Sequence, residues 1–318
     1  MQAKRGRVDW IDQLKGLGIL LVVIGHVTTY APLHHWIFLF HMPLFFLLSG
    51  YLGRARASGE IVRSRFFSLL VPYAAFLLLV TLLDYAWGRL DGSGSLLSHH
   101  GLGGAAVRLI FGGSALVGAY GTFWFVPCLF VASLACNLII GRRQAMFLAW
   151  AAIGLGVAIS AMMPAIPSPL GLMQVPMAVA LMACGWLARG QAGVSVAMLA
   201  VAATIFAVSG WFAGPFDMKY LDFGIFPTNL VAALTGVVTV AGVARWLGRI
   251  AGIGGALVLL GQASLVIMFL HQLINVHLRP YLGDWPTIAV AILLPLAFWW
   301  LAGRTDLSSR LFLGKPAG

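Results

Sequence analysis

Apolar segments of near-spanning length recur ten times along this 318-residue chain, at about 16–33, 36–53, 68–87, 120–140, 144–163, 173–188, 194–213, 226–244, 256–276 and 286–303. A bilayer core takes about 20 helical residues, and inside it only helices or closed barrels satisfy their own backbone polar groups. Charged residues make up 9% of the chain, whereas a soluble domain carries about 25%. That supply cannot cover a water-facing surface. The sequence therefore predicts an all-α, polytopic integral membrane protein of about ten transmembrane helices, forming one domain over 1–318. The Gly-rich stretch 102–118 is shorter and reads as an interfacial or re-entrant piece.

Charge sets the expected orientation. Of the 20 Lys and Arg residues, only Arg89, Arg108, Lys219 and Arg279 fall on the side opposite the N-terminus. Short cytoplasmic loops are enriched in Lys and Arg, so both termini are expected in the cytoplasm. The net charge of +11 is then a consequence of topology, and no nucleic-acid partner is expected. Asp9, Asp12 and Lys15 precede the first apolar run and no A-x-A site follows it, so it reads as a retained helix rather than a cleaved leader.

That first run, DWIDQLKGLGILLVVIGH, carries a histidine at depth. Lys15 and His26 are eleven residues apart, about 16 Å along a helix axis and only about 20° apart around it. Asp12 joins the same stripe. Lys15 has two readings, a basic residue snorkelling at the cytoplasmic surface or part of a polar path into the bilayer. With the N-terminus inside, His26, His41 and His271 come from three helices at a similar level in the outer half, with Gln272 and Asn275 beside the last. Each is a packing residue or a functional one; intramembrane polar groups are costly and mark function by default.

The loop 54–67 holds Arg54, Arg56, Arg63 and Arg65 against a single Glu60. These are inside-loop charges and also phosphate clamps in form, since the guanidinium fork matches phosphate. Ser49 and Gly50 permit close approach by a helix or a ligand. Pro127 is expected to break a helix just below Trp124. Cys128, Cys136 and Cys184 lack metal-type spacing and read as buried apolar side chains. His34 and His35, like His99 and His100, fall in outer loops, and no metal site is expected there.

These stretches, taken in order, resemble the membrane acyltransferase-3 family. The basic residue, ten residues and histidine of helix 1 are here Lys15 to His26. HMPLFFLLSGY follows at 41–51, then LLVPY at 69–73, FWFVPCLF at 123–130 and SLVIMFLHQLI at 264–274. WIDQLKGLGILLVVIGH looks closest to the fucose 4-O-acetylase-like branch. The resemblance implies an O-acyltransferase of the inner (plasma) membrane, moving an acetyl group from cytosolic acetyl-CoA to a hydroxyl of a glycan or lipid-linked sugar, as in polysaccharide modification. It implies His26 as the catalytic histidine with Lys15 as its basic partner, a group that Asp12 joins by its place on the same stripe, and an acyl-CoA site of Arg63, Arg65, Ser49 and Trp124. The acceptor is expected near His41, His271, Gln272 and Asn275. Arg65 matches the first arginine of a family pair whose second position falls near Ser68, where Arg63 is the substitute. The acidic residue that some members carry late in the chain has no clear counterpart. Acetyl-CoA is expected as cosubstrate with no resident cofactor, membrane lipids as surroundings, and a homo-oligomer is open. The rival reading is a proton-coupled transporter or flippase, which calls for inverted repeats and broken helices in matching halves; no such symmetry is visible.

Overall fold

The computed structural model describes residues 9–92, 94–140, 142–162, 167–189 and 195–315; Lys4, Arg5 and Arg7 of the charge pattern lie outside them. All regular elements in these residues are helical. They are α1 (Asp9–Val27), α2 (Ala31–Phe38), α3 (His41–Leu52), α4 (Ser58–Arg65), α5 (Val71–Asp91), α6 (Leu96–Phe111), α7 (Phe125–Ile139), α8 (Ala145–Met162), α9 (Val175–Leu187), α10 (Val196–Phe212), α11 (Thr228–Leu247), α12 (Ile253–Leu282), α13 (Asp284–Ala302) and α14 (Asp306–Leu313). Among the described residues, eight helical stretches are long and apolar enough to cross a membrane, and the shorter apolar helices Ala145–Ile159 and Val196–Phe212 match the other two segments expected from sequence. The stretch 102–118 is not among them; α6 kinks at Gly101 and gives way to short 3-10 turns at Gly113–Ala115 and Gly118–Tyr120.

Prolines account for the breaks that shape the interior. Pro43 cannot coexist with a continuous helix through Leu39, because its ring meets the carbonyl four residues back. The chain accordingly turns at Leu39–Phe40, so the segment 36–53 is two helices, α2 and α3. Pro72 is preceded by a π-helical turn at Phe66–Leu70, which joins α4 to α5. Pro127 sits in the first turn of α7, where its missing N–H is one of the unused donors anyway. The break expected there is a helix start.

α1 and α12 form the most extensive helix pair in the molecule. They run parallel, from Asp12 beside Gly261 to His26 beside Asn275. Gly16 lies against the Leu257 carbonyl and Gly261 against that of Asp12, so neither position has room for a Cβ. Without a hydrophobic driving force between helices in lipid, such backbone approach supplies the packing. Gly50 likewise abuts the Met182 backbone of α9, and Gly185 abuts Leu47 of α3. Apolar side chains such as Leu78, Leu82, Phe147, Val201 and Leu293 stay exposed on the bundle's outside, where lipid would cover them.

Gly16→Leu forces a side chain into the Leu257 backbone and is expected to lower stability by about 1–3 kcal/mol or more. Gly255→Ala on the same α12 meets nothing within 4 Å and serves as the control. Thermal unfolding of both variants in detergent checks this; equal midpoints would contradict it.

Candidate active site

The last carbonyls of α1 have no partner within the helix, and inside an apolar bundle such groups must be satisfied from outside. Each is taken. The Ile24 carbonyl accepts from Thr28 N at 2.9 Å. His34 Nδ1 lies 2.8 Å from the Gly25 carbonyl. Asn275 Nδ2 donates to the His26 carbonyl at 3.0 Å, and Arg279 Nη1 to that of Val27 at 3.2 Å. Side chains from α2 and α12 thereby fix the turn that carries His26.

The three histidines expected at a similar level also converge in the plane. The His26 ring centroid is 5.7 Å from that of His41 and 5.3 Å from that of His271. His41 Nδ1 lies 3.1 Å from the Ile37 carbonyl, and His271 Nδ1 lies 2.9 Å from that of Ile267. A carbonyl only accepts, so in both rings Nδ1 carries the proton and the neutral ring presents Nε2 as a lone pair. His271 is fully buried, and its Nε2 has no hydrogen-bond partner among the described residues.

His26 opens onto a cavity of about 310 Å³, lined also by His34, His41, Trp124, Asp217, Lys219 and Gln272. Phe38, Phe216 and Tyr220 supply aromatic faces, and Thr122 lies in the same wall, its hydroxyl donating to the Met268 carbonyl at 2.7 Å. Lys219 comes from a turn, Met218–Tyr220, outside the spanning helices. Burial pushes its ammonium down to about 8, against the opposing pull of Asp217. Burial also raises the Asp217 carboxyl, against the backbone N–H of Lys219 and its charge.

A second cavity of about 240 Å³ lies at the other end of α3, lined by Ser49, Arg54, Arg56, Arg65, Ser133 and Asn137 among others. Asn137 clamps the Arg56 backbone from both sides, accepting from its N–H and donating to its carbonyl, each at 3.0 Å. Ser133 is buried with its hydroxyl unpartnered among the described residues. Arg189 holds the Gly53 carbonyl. Three guanidiniums beside a small polar cavity form an anion site in chemical terms.

The structure divides the sequence-expected residues in its own way. Arg65 and Ser49 share the arginine cavity, but Trp124 belongs to the histidine cavity. Arg63 is exposed on α4 and lines neither cavity; Ile61, Ser64 and Arg65 are the α4 residues that face the arginine cavity. Ser68 also lies outside the arginine cavity. Asp12 and Lys15 pair with each other at 3.7 Å, at the opposite end of α1 from His26, about 16 Å away from it by helical rise for Lys15. Gln272 lines the histidine cavity, His271 lies behind His26, and Asn275 holds backbone rather than facing the cavity. His34, placed in a loop by sequence reasoning, is on α2 and faces His26's cavity.

Sequence reasoning also missed a buried polar knot beside this site. His277 Nε2 is 3.0 Å from Asp84 and its Nδ1 is 3.4 Å from Asp91, with Trp87 stacked on the ring at 5.4 Å. Asp84 further accepts from Leu96 N and from Tyr120. It joins α5, α6 and α12.

The family model of the acyltransferase-3 domain matches residues 8–303. The chain belongs to the acyltransferase-3 family. It is also similar to the nodulation protein NolL of Sinorhizobium fredii, 33% identical over 131 residues, which cover 38% of this chain and 34% of that protein. This match spans about a third of the relative's length. No solved structure matches. The family and the spanning helices make the chain a multi-pass membrane protein.

His277→Ala removes the imidazole from Asp84 Oδ1 and Asp91 Oδ2. Breaking a buried hydrogen bond so that its acceptor loses a donor costs about 1–3 kcal/mol, so the variant is expected to unfold at lower temperature. A midpoint equal to that of the unaltered protein would contradict the structural role assigned to this knot.

Proposed function

We propose that the chain is an O-acyltransferase that moves an acetyl group from acetyl-CoA to a hydroxyl of a glycan or lipid-linked sugar. The observation that carries this reading is the His26 ring at the wall of a cavity, backed by the buried, proton-accepting Nε2 of His271. In this reading His26 is the general base. Imidazole suits that role near neutral pH and contributes about 10²–10⁴ in rate. His271 Nε2, unpartnered in the structure with its ring centroid 5.3 Å from that of His26, would accept the proton of the other ring nitrogen as His26 shifts towards it, which turns the basic nitrogen towards the cavity. This is the base-and-orienter arrangement of acyl-transfer sites, with an imidazole as the orienting group.

The donor enters from the arginine side. Arg54, Arg56 and Arg65 would hold the phosphates of CoA, and its arm would reach along α3. His41 to Ser49 is about 12 Å by helical rise. Phe45, Phe46 and Phe125 pack between these positions, the last two with ring centroids 5.1 Å apart, so they must part for a thioester to pass. The acceptor enters the histidine cavity, whose mixture of aromatic faces with Asp217, Gln272 and Thr122 suits a sugar: ring C–H faces lie on aromatics while hydroxyls meet polar groups. By the distribution of Lys and Arg, the arginine cavity faces the cytoplasm and the histidine cavity the outer side. The inner membrane as location and the fucose 4-O-acetylase-like branch belong to the same proposal.

His26→Ala is expected to abolish transfer of radiolabelled acetyl from acetyl-CoA to a panel of hexosides and lipid-linked sugars, while the purified protein keeps its thermal unfolding midpoint. Full transfer by that variant would remove His26 from the mechanism.

A further inference from the structure

Lys219 stands alone between Arg189 and Arg245 as a basic residue, yet it is buried, 8% exposed, at the wall that His26 shares. A lysine in such a place is costly unless the surroundings are built for it. Here they are built. The Asp217 side chain accepts from Lys219 N at 2.9 Å, and Asp217 bridges to Asp222. Gln174, fully buried, donates to the Lys219 carbonyl at 2.7 Å and accepts from Ser168 Oγ at 2.6 Å. The ammonium itself donates to the Leu116 carbonyl at 2.6 Å and lies 5.1 Å from the Tyr220 ring centroid. Three separate segments of chain are thus tied together at one cation, and no carboxylate among the described residues lies within 4.0 Å of its nitrogen. One of its three N–H bonds is committed to Leu116; the others remain for the cavity.

Resting on the acyltransferase reading above, we propose that Lys219 is a catalytic residue that stabilises the oxyanion of acyl transfer. The acceptor oxygen forms a bond to the thioester carbonyl carbon as His26 takes the hydroxyl proton, and the carbonyl π pair moves onto oxygen. That oxygen, now negative, is the group that meets the Lys219 ammonium. Collapse re-forms the carbonyl, breaks the C–S bond and releases the CoA thiolate, which recovers the proton from the imidazolium. A cation held in a buried position acts more strongly on such a transient charge than one free in water, because it needs no reorientation. The titratable groups around the ammonium are Asp217 and Tyr220 from its own loop, with Asp222 bridged to Asp217, and His26, His34 and His41 in the walls of the same cavity. The segment 113–120 contributes the Leu116 carbonyl, and its Tyr120 hydroxyl is turned to Asp84.

The test uses the full chain in detergent with radiolabelled acetyl-CoA and the best acceptor from the hexoside and lipid-linked sugar panel. Lys219→Met is expected to lower kcat by about 10²–10³-fold while the KM values for donor and acceptor stay close to those of the unaltered protein. In the unaltered protein the ammonium is charged below about 8, so kcat should fall as pH rises through that value. Lys219→Arg, which keeps its charge, should lose that alkaline limb while retaining activity. If Lys219→Met does not fold, the pH profile of Lys219→Arg decides alone. An unchanged kcat in Lys219→Met, a change in acceptor KM only, or an alkaline limb persisting near pH 8 in Lys219→Arg would overturn the proposal. Failure of the unaltered protein to transfer acetyl to any acceptor would overturn the parent reading, and this one with it.

Discussion

The capture of the last carbonyls of α1 is the interaction on which the interior depends. A helix end leaves carbonyls without partners of their own, and a buried acceptor left unpaired costs about 1–3 kcal/mol. Here the donors come from His34 on α2 and from Asn275 and Arg279 on α12. The same bonds that close the helix therefore set its distance to two neighbours. The three imidazoles follow from that closure, since α3 continues from α2 after the Pro43 break and α12 carries His271 one turn before Asn275.

Two cavities of unlike chemistry result, joined along α3 and α7. One presents guanidiniums and hydroxyls, the other imidazoles, an ammonium, a carboxylate and aromatic faces. The packed Phe45, Phe46 and Phe125 separate them. Anionic and sugar-like molecules would thus meet different walls, and only motion of the aromatic rings would connect them. Glycines set the width of the frame around this column: Gly16 and Gly261 between α1 and α12, Gly50 and Gly185 between α3 and α9.

Much of this was legible in the sequence. Hydropathy gave the helices, and the depth of His26, His41 and His271 along them was enough to expect one level, because helical rise converts residue number directly into depth. The Lys15 to His26 spacing placed both on α1 but assigned them to one site, whereas the structure leaves Lys15 with Asp12 at the far end. Trp124 was read with the arginines, since no one-dimensional pattern tells which way the start of α7 faces once Pro127 has set it. His34 looked like a loop residue, as eight residues before a proline break carry too weak a period to read as helix. Lys219 was invisible for a deeper reason. Its position depends on Gln174, Ser168 and Leu116, which are remote in sequence and carry no local motif. The His277 knot with Asp84 and Asp91 is of the same kind, assembled by packing and not by spacing.

In the proposed reaction donor and acceptor approach His26 from opposite faces of the membrane. The direct test reconstitutes the protein in vesicles, sorts orientation with a C-terminal affinity tag, and supplies acetyl-CoA and sugar acceptor on the same side or on opposite sides. Transfer is expected only with acetyl-CoA on the side of Arg54, Arg56 and Arg65 and the acceptor on the side of Lys219. Equal transfer with both substrates confined to one side would contradict the account.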